Sequence, residues 1–211
     1  MIERNSKSEL AQNNILKAAS DLFLSGGVKA ISARAIAQKA GVSTMGIYSH
    51  FNGKQGILDA LYIEGFELVS QAMNVDAGLT PLASLMQATD QYLSLGENYE
   101  AHYRLIFGEA DSGYEPSAEA KAIRLESFGK LVAVTSTLLP ASGAETEGSS
   151  DERGRQFALE IWALLHGFVS LKHHTLGAIS NDDSPAKPYH WNWKDSARAA
   201  IRRLAASYRI D

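Results

Sequence analysis

Residues 43–54 read Ser-Thr-Met-Gly-Ile-Tyr-Ser-His-Phe-Asn-Gly-Lys, which sets hydroxyls, a thioether, a phenol and an imidazole close together along the chain. Neither this run nor the rest of the chain places a nucleophile in an elbow, a metal triad or a Gly-rich phosphate loop, so enzymatic chemistry is not expected. What such side chains do well is hydrogen-bond to, and pack on, bases and phosphates. Ser43 follows a Gly-containing turn and Ser32 precedes a short helical pattern, so both are placed to cap helices. If those helix ends face DNA, the hydroxyls and free amides can also hold phosphate oxygens. Capping alone is the simpler role for Ser32. Thr44, Met45 and Gly46 then open the second helix, where side chains reach base edges. Met45 suits a thymine methyl and Thr44 a hydrogen bond to a base or phosphate. Gly46 costs a helix interior about 1 kcal/mol relative to Ala. Close approach of its backbone to DNA is the compensation expected.

Two short helices around a turn must present these groups: one over 33–39, with Ile36 and Ala40 inward, and one through Phe51, with Ile47 and Phe51 directed into a core. A preceding helix carries Ile15, Ala19, Leu22 and Phe23 on one face and ends at Gly26-Gly27. Asn52-Gly53 breaks the chain after the second helix, and an amphipathic helix over 54–73 follows. Further helices are expected from Pro81, capped by Thr80 and closed by Gly96; over 97–108; over 117–139; over 153–175; and over 194–209. The stretch 140–154 is nearly devoid of apolar residues and reads as a solvated loop, and 176–193 reads as irregular. No stretch has the alternation of a strand. The fold class is all-α: an N-terminal three-helix helix-turn-helix head on residues 1–54, with its motif at about 32–51, joined to a helical bundle on 55–211.

The chain has 211 residues, 45% of them hydrophobic, enough for a sizeable core. It has no cysteine, which excludes disulfides and thiol chemistry and fits a reducing compartment. No long apolar run or leader-like segment is present, and a cytoplasmic protein is expected. The formal charge of −4 is unevenly divided: residues 1–60 hold seven Lys and Arg against four Asp and Glu, leaving −7 on the remainder. A basic head on an acidic body is what is expected when one end meets phosphate. Yet the second helix of the motif has neither Arg nor Lys, so the attraction must come from around it: Arg34, Lys39, Lys54, and Arg4 and Lys7 on an expected flexible arm.

Residues 10–58 resemble the TetR family of bacterial transcriptional regulators, through "ILKAASDLFLSGGVKAIS", "ARAIAQKAGVSTMGIYSHF" and "GKQGIL". The resemblance implies that the second helix reads DNA, that Tyr48 and His50 contact the sugar-phosphate backbone, and that Lys54 meets phosphate where the next helix begins. His50 beside Phe51 is otherwise a buried structural residue. In a homodimer, two-fold symmetry would set two such heads on successive major-groove faces, so a pseudo-palindromic operator is expected. The resemblance further implies a small-molecule effector, of an identity the sequence does not give; no bound cofactor or metal is expected. A repressor released by that effector is the leading expectation; an activator or a nucleoid-type DNA binder with the same head is the alternative.

In the body, "RQFALEIWALLHGFVSLKHH" is apolar on more than one face. Phe157, Ile161, Leu164, Phe168 and Leu171 form one stripe; Ala158, Trp162, Leu165 and Val169 form another. Ala163 and Gly167 offer a small-residue strip, and Ala199, Ala200, Leu204 and Ala205 a similar face on the last helix, so a dimer through these C-terminal helices is expected. "WALLHG" and "AHYRLIFGE" also resemble the Trp-His-Gly class of TetR C-terminal domains. Tyr62, Phe66, Tyr103, Phe107, Phe128, Trp162 and His166 are candidates to line an effector pocket, with ordinary core packing the other role open to each. His173-His174 does not suggest a metal site, because consecutive helical residues point about 100° apart.

Overall fold

Gly26 and Gly27 interrupt the first helix with non-helical backbone, Gly27 at φ 64°, where an L side chain would be strained. The helix α1 (Ile2–Ala30) therefore turns at the position expected from the sequence. The computed structural model describes residues 2–107, 114–139, 147–174 and 191–208, with side chains described from residue 7 onward and, in the third segment, from residue 152. The other helices are α2 (Ala33–Ala40), α3 (Thr44–Phe51), α4 (Lys54–Ala72), α5 (Pro81–Asn98), α6 (Glu100–Ile106), α7 (Ala118–Ser136), α8 (Glu147–His174) and α9 (Trp193–Tyr208). There is no strand among the described residues, so the all-α expectation holds. None of these helices is long and apolar enough to cross a membrane.

One compact unit comprises residues 1–68 and 99–126. Ile15, Phe23, Ile31, Ile36, Ile47 and Ile57 are among its innermost side chains, each at most 2% exposed, and they join α1 to the two short helices and the start of α4. Gly65 lets α4 approach α6: a Cβ there would lie 2.6 Å from Ile106 Cγ2. Beside it the His102 ring meets Glu64 at 3.1 Å, and that hydrogen bond holds the Glu64 carboxyl below its usual range against an opposing push from burial. Asp59 on α4 accepts from the Tyr114 hydroxyl at 2.8 Å and from Ser117 N at 3.1 Å, while Gln55 donates to the Glu115 carbonyl at 2.9 Å. Burial, then the bond to Asp59, pushes the Tyr114 phenol well above its ordinary range. The compact unit holding the helix-turn-helix thus extends past residue 54; which residues meet DNA is a separate question.

The other unit comprises residues 69–98 and 127–211. Phe157, Ala158, Ile161, Leu165 and Val169 of α8 form its buried spine against α5 and α9, where Tyr92, Leu93, Ala197, Ile201 and Ala205 are buried. Gly96, expected to end a helix, lies inside α5: a Cβ there would be 2.6 Å from Val169 Cγ1, so its smallness serves helix contact and not termination. The loop expected over 140–154 is shorter than that, because α8 already begins at Glu147. The chain is helical from Ile2, so the arm expected to be flexible is the start of α1; of its two cations, Lys7 is exposed and the Arg4 side chain lies outside the described residues. Ala205 is 1% exposed and belongs to the core, not to a face available to a partner. The ends expected at 108, 175 and 209, and most of the stretch 176–193, lie outside the described residues.

Candidate nucleic-acid interface

The motif is built from caps. Ser32 Oγ accepts from Ala35 N and Ser43 Oγ from Gly46 N, each at 3.1 Å, satisfying a free amide at the start of α2 and of α3. Gly41 ends α2 in the left-handed region at φ 69°, and Asn52 ends α3 in the same way at φ 55°. Both expected caps and both expected breaks are present. Two hydrogen-bonded termini make α2 and α3 short and well defined, which short helices alone are not.

Ile47 is the anchor of α3, fully buried on its inner side. With Ile47 inward, the outer face carries Met45, 76% exposed, and Tyr48, 58% exposed, with Thr44 and Ser49 exposed beside them. Folding does not explain such exposure of a thioether and a phenol on consecutive turns of a rigid helix. Tyr48 is held in place from behind: its ring passes over Gly53, where a Cβ would be 3.0 Å from Cε1. Gly46 has the opposite character. A Cβ on it would meet only ordinary contacts, 3.6 Å from Ser43 Oγ and 3.8 Å from Val42 Cβ, so nothing within the fold requires glycine there.

The cations divide into engaged and exposed. Lys39 pairs with Asp21 at 3.2 Å, and Lys54 donates to the Val28 carbonyl at 2.7 Å in a partly buried position. Arg34 on α2 is exposed, as is Ser32 at its cap. His50 is half-buried, its ring centroid 6.4 Å from that of Phe51, so it is not the fully buried residue that was the other role open to it. Ser49, whose hydroxyl donates to Gly46 O at 3.0 Å, shares the outer face and escaped the sequence reading; its position, four residues after Met45 and one after Tyr48, was the available signal. Gly56 escaped it as well: a Cβ there would fall 1.6 Å from the Phe51 carbonyl oxygen, so the first turn of α4 crosses the end of α3 at backbone contact.

The aromatic candidates form two groups. Tyr62, Phe66, Tyr103 and Phe107 pack ring on ring in the first unit, with centroids 4.6 to 6.3 Å apart, and Tyr62, Phe66 and Tyr103 are at most 3% exposed. Phe128 and Trp162 stack at 5.5 Å in the second unit, and Trp162 Nε1 donates to the Tyr92 hydroxyl at 3.2 Å. His166 is half-buried one turn after Trp162. In the same unit Ser70 and Ser127 satisfy each other at 2.8 Å, while Thr89 Oγ1 is buried with no partner among the described residues. Among the described residues no group of acids and histidines could hold a metal ion.

Residues 15–61 match the family model of bacterial regulatory proteins, tetR family, a span that contains every candidate DNA-contacting residue from Ser32 to Lys54. No curated protein matches the chain. Among solved structures the chain is similar to SCO4313, described as a regulatory protein, with 19% identity, 95% of this chain and 97% of that chain covered, and a TM-score of 0.71. It is also similar to a tetR-family regulatory protein from Rhodococcus RHA1, with 19% identity, 93% and 95% covered, and a TM-score of 0.65. The TetR-family transcriptional regulator PfmR from Thermus thermophilus has 18% identity, 91% and 97% covered, and a TM-score of 0.61. At these identities the likeness is one of fold, and it extends over nearly the whole of each chain.

Proposed function

We propose that the chain is a DNA-binding transcriptional regulator of the tetR family, whose model matches residues 15–61, and that it is a homodimeric repressor released from its operator by a small molecule. The observation that carries the DNA-reading part is the outer face of α3, where Met45 and Tyr48 stand exposed on a helix capped at both ends. In this reading Thr44, Met45 and the Gly46 backbone meet base edges, while Ser32, Arg34, Ser43, Tyr48 and His50 hold phosphate or sugar. Residues 1–54 form the reading head and 55–211 the effector-binding and dimerising body.

Support for the dimer comes from α8, whose exposed side carries Leu159, Ala163 and Leu171, with the half-exposed Gly167 between them, at four-residue intervals. A second copy of the helix can cover such a strip, and two-fold symmetry then sets two heads on a pseudo-palindromic site. Support for an effector comes from the second unit: the half-buried Phe128, Trp162 and His166 offer flat apolar surface, and the unpartnered Thr89 hydroxyl is a buried polar group for which a ligand can supply the missing bond. Tyr62, Phe66 and Tyr103 serve as core, and Phe107 joins their cluster. Trp162, His166 and Gly167 keep their resemblance to the Trp-His-Gly class as part of the proposal. Release requires that the effector bind better to the non-reading state than to the reading one, and α4 is the helix that would pass on the difference.

The test is selection of bound duplexes from random DNA by the purified protein. Recovery of an inverted repeat is the expected result. Recovery of no preferred sequence, with broad protection in footprinting, would favour the nucleoid-type alternative and sink the repressor reading.

A further inference from the structure

We propose that α7 is locked in register with α4 and is a second helix through which an effector acts on the reading helix, with Asp59 as the positioning residue at the joint. The proposal rests on the DNA-reading role of α3 and the effector-binding role of the body given above. The two helices are tied at two places. Near the start of α4, the Asp59 carboxylate accepts from Ser117 N at 3.1 Å and from the Tyr114 hydroxyl at 2.8 Å, and Gln55 donates to the Glu115 carbonyl at 2.9 Å. Ser117 also caps α7, its Oγ accepting from Ala120 N at 3.2 Å, so Asp59 holds the residue from which that helix starts. Farther along, Ser70 of α4 and Ser127 of α7 hydrogen-bond at 2.8 Å, and both are buried.

At about 1.5 Å of rise per residue, the ties lie about 16 Å apart along α4 and about 15 Å apart along α7. They match in spacing and in sense, which two helices satisfy when they run in the same direction. Sliding α4 along α7 would pull two buried hydroxyls apart at one tie and strip a carboxylate of two donors at the other, and both losses are costly. Each end of the pair also bears on a proposed site. At one end, Gly56 brings the first turn of α4 onto the Phe51 carbonyl at the close of α3. At the other, Phe128, the neighbour of Ser127, stacks on Trp162 at 5.5 Å. A ligand that displaces the Phe128 ring therefore acts on α7 first, and Asp59 delivers the movement to α4 and the base of α3.

The test uses the full-length protein and the duplex it selects, with operator binding as the input, because coupling between two sites acts in both directions. Hydrogen exchange of residues 127–136 is compared with and without saturating duplex. In the parent, exchange there is expected to slow when the duplex binds; in Asp59→Ala that response is expected to be lost while the duplex stays bound. No response in the parent overturns the proposal. So does a parental response in Asp59→Ala, even with a lower melting temperature, since the acid then serves stability alone. Should Asp59→Ala not fold or not bind, Tyr114→Phe removes one donor and keeps the ring, and the same two outcomes decide. Register is tested separately. The chain has no cysteine, so Ser70→Cys combined with Ser127→Cys allows one disulfide within the chain. That bond is expected to form and to leave operator affinity unchanged. A disulfide that does not form overturns the proposal, as does a loss of affinity of about tenfold or more that reductant restores, which would show α4 sliding past α7. Failure of the parent to select any duplex would count against the DNA-reading role, separately from this one.

Discussion

The outer face of α3 and the outer face of α8 both leave large apolar side chains in water, but they do so in different chemical company. On α3, Met45 and Tyr48 are interleaved with Thr44 and Ser49, so each turn offers a hydrogen-bonding group as well as an apolar one. On α8, Leu159 and Leu171, each 48% exposed, are separated by Ala163 and Gly167 and form a smooth aliphatic strip. The first pattern suits a surface of fixed donors, acceptors and methyl groups; the second suits another helix, which wants shape and little else. If both faces take partners as proposed, the residues between the exposed ones tell those partners apart.

The strongest way to break this comparison is at the base of the α3 face. Gly56→Ala forces a methyl onto the Phe51 carbonyl, and an overpacked crossing of this kind is expected to cost about 3 kcal/mol, seen as a lower melting temperature and a loss of operator binding together. Next is Leu159→Asp on the other face. A charge on the aliphatic strip is expected to leave a monomer of 22.9 kDa by light scattering, with the melting of the subunit little changed because the side chain is exposed. A dimer that survives this substitution would remove α8 from the interface.

Two milder substitutions sharpen the α3 side. Met45→Ala should alter preference at one or two base pairs by about 1 kcal/mol, read by repeating the selection; an unchanged motif would remove Met45 from base contact. Gly46→Ala is informative because its two effects have opposite signs. Alanine fits the fold, so stability should rise by up to about 1 kcal/mol, while operator affinity falls if the backbone there approaches DNA closely. A rise in both would show that the glycine has no role in contact.

The parts of the molecule that depend on neighbours in sequence were legible in advance. Ser32 and Ser43 cap because a hydroxyl three residues before a free amide can do nothing better locally, and Asn52 tolerates the left-handed backbone that ends α3. What depends on distant packing was not. Gly96 has the look of a helix stop and is a contact point for Val169, a residue on another helix. The partner of Lys54 is a backbone carbonyl, which every residue possesses, so no side-chain pattern advertises it. Of the candidate site, Thr44 and Met45 could be placed at the start of the second helix from its cap, and Tyr48 through the family resemblance, whereas the closeness of Gly56 to Phe51 needed coordinates.

The outer face of α3 has a consequence for how such a protein can change over generations. Met45 packs so little within its own chain that replacing it alters what the helix offers and leaves the fold that offers it untouched. Tyr48 lies against Gly53, and at 58% exposure its outer edge is similarly open. Under the proposed reading, binding preference and folding are written in different residues of one short helix. Mutation could then explore new targets at Met45 without passing through unfolded intermediates, while Ile47, two positions along the same helix, stays where it is.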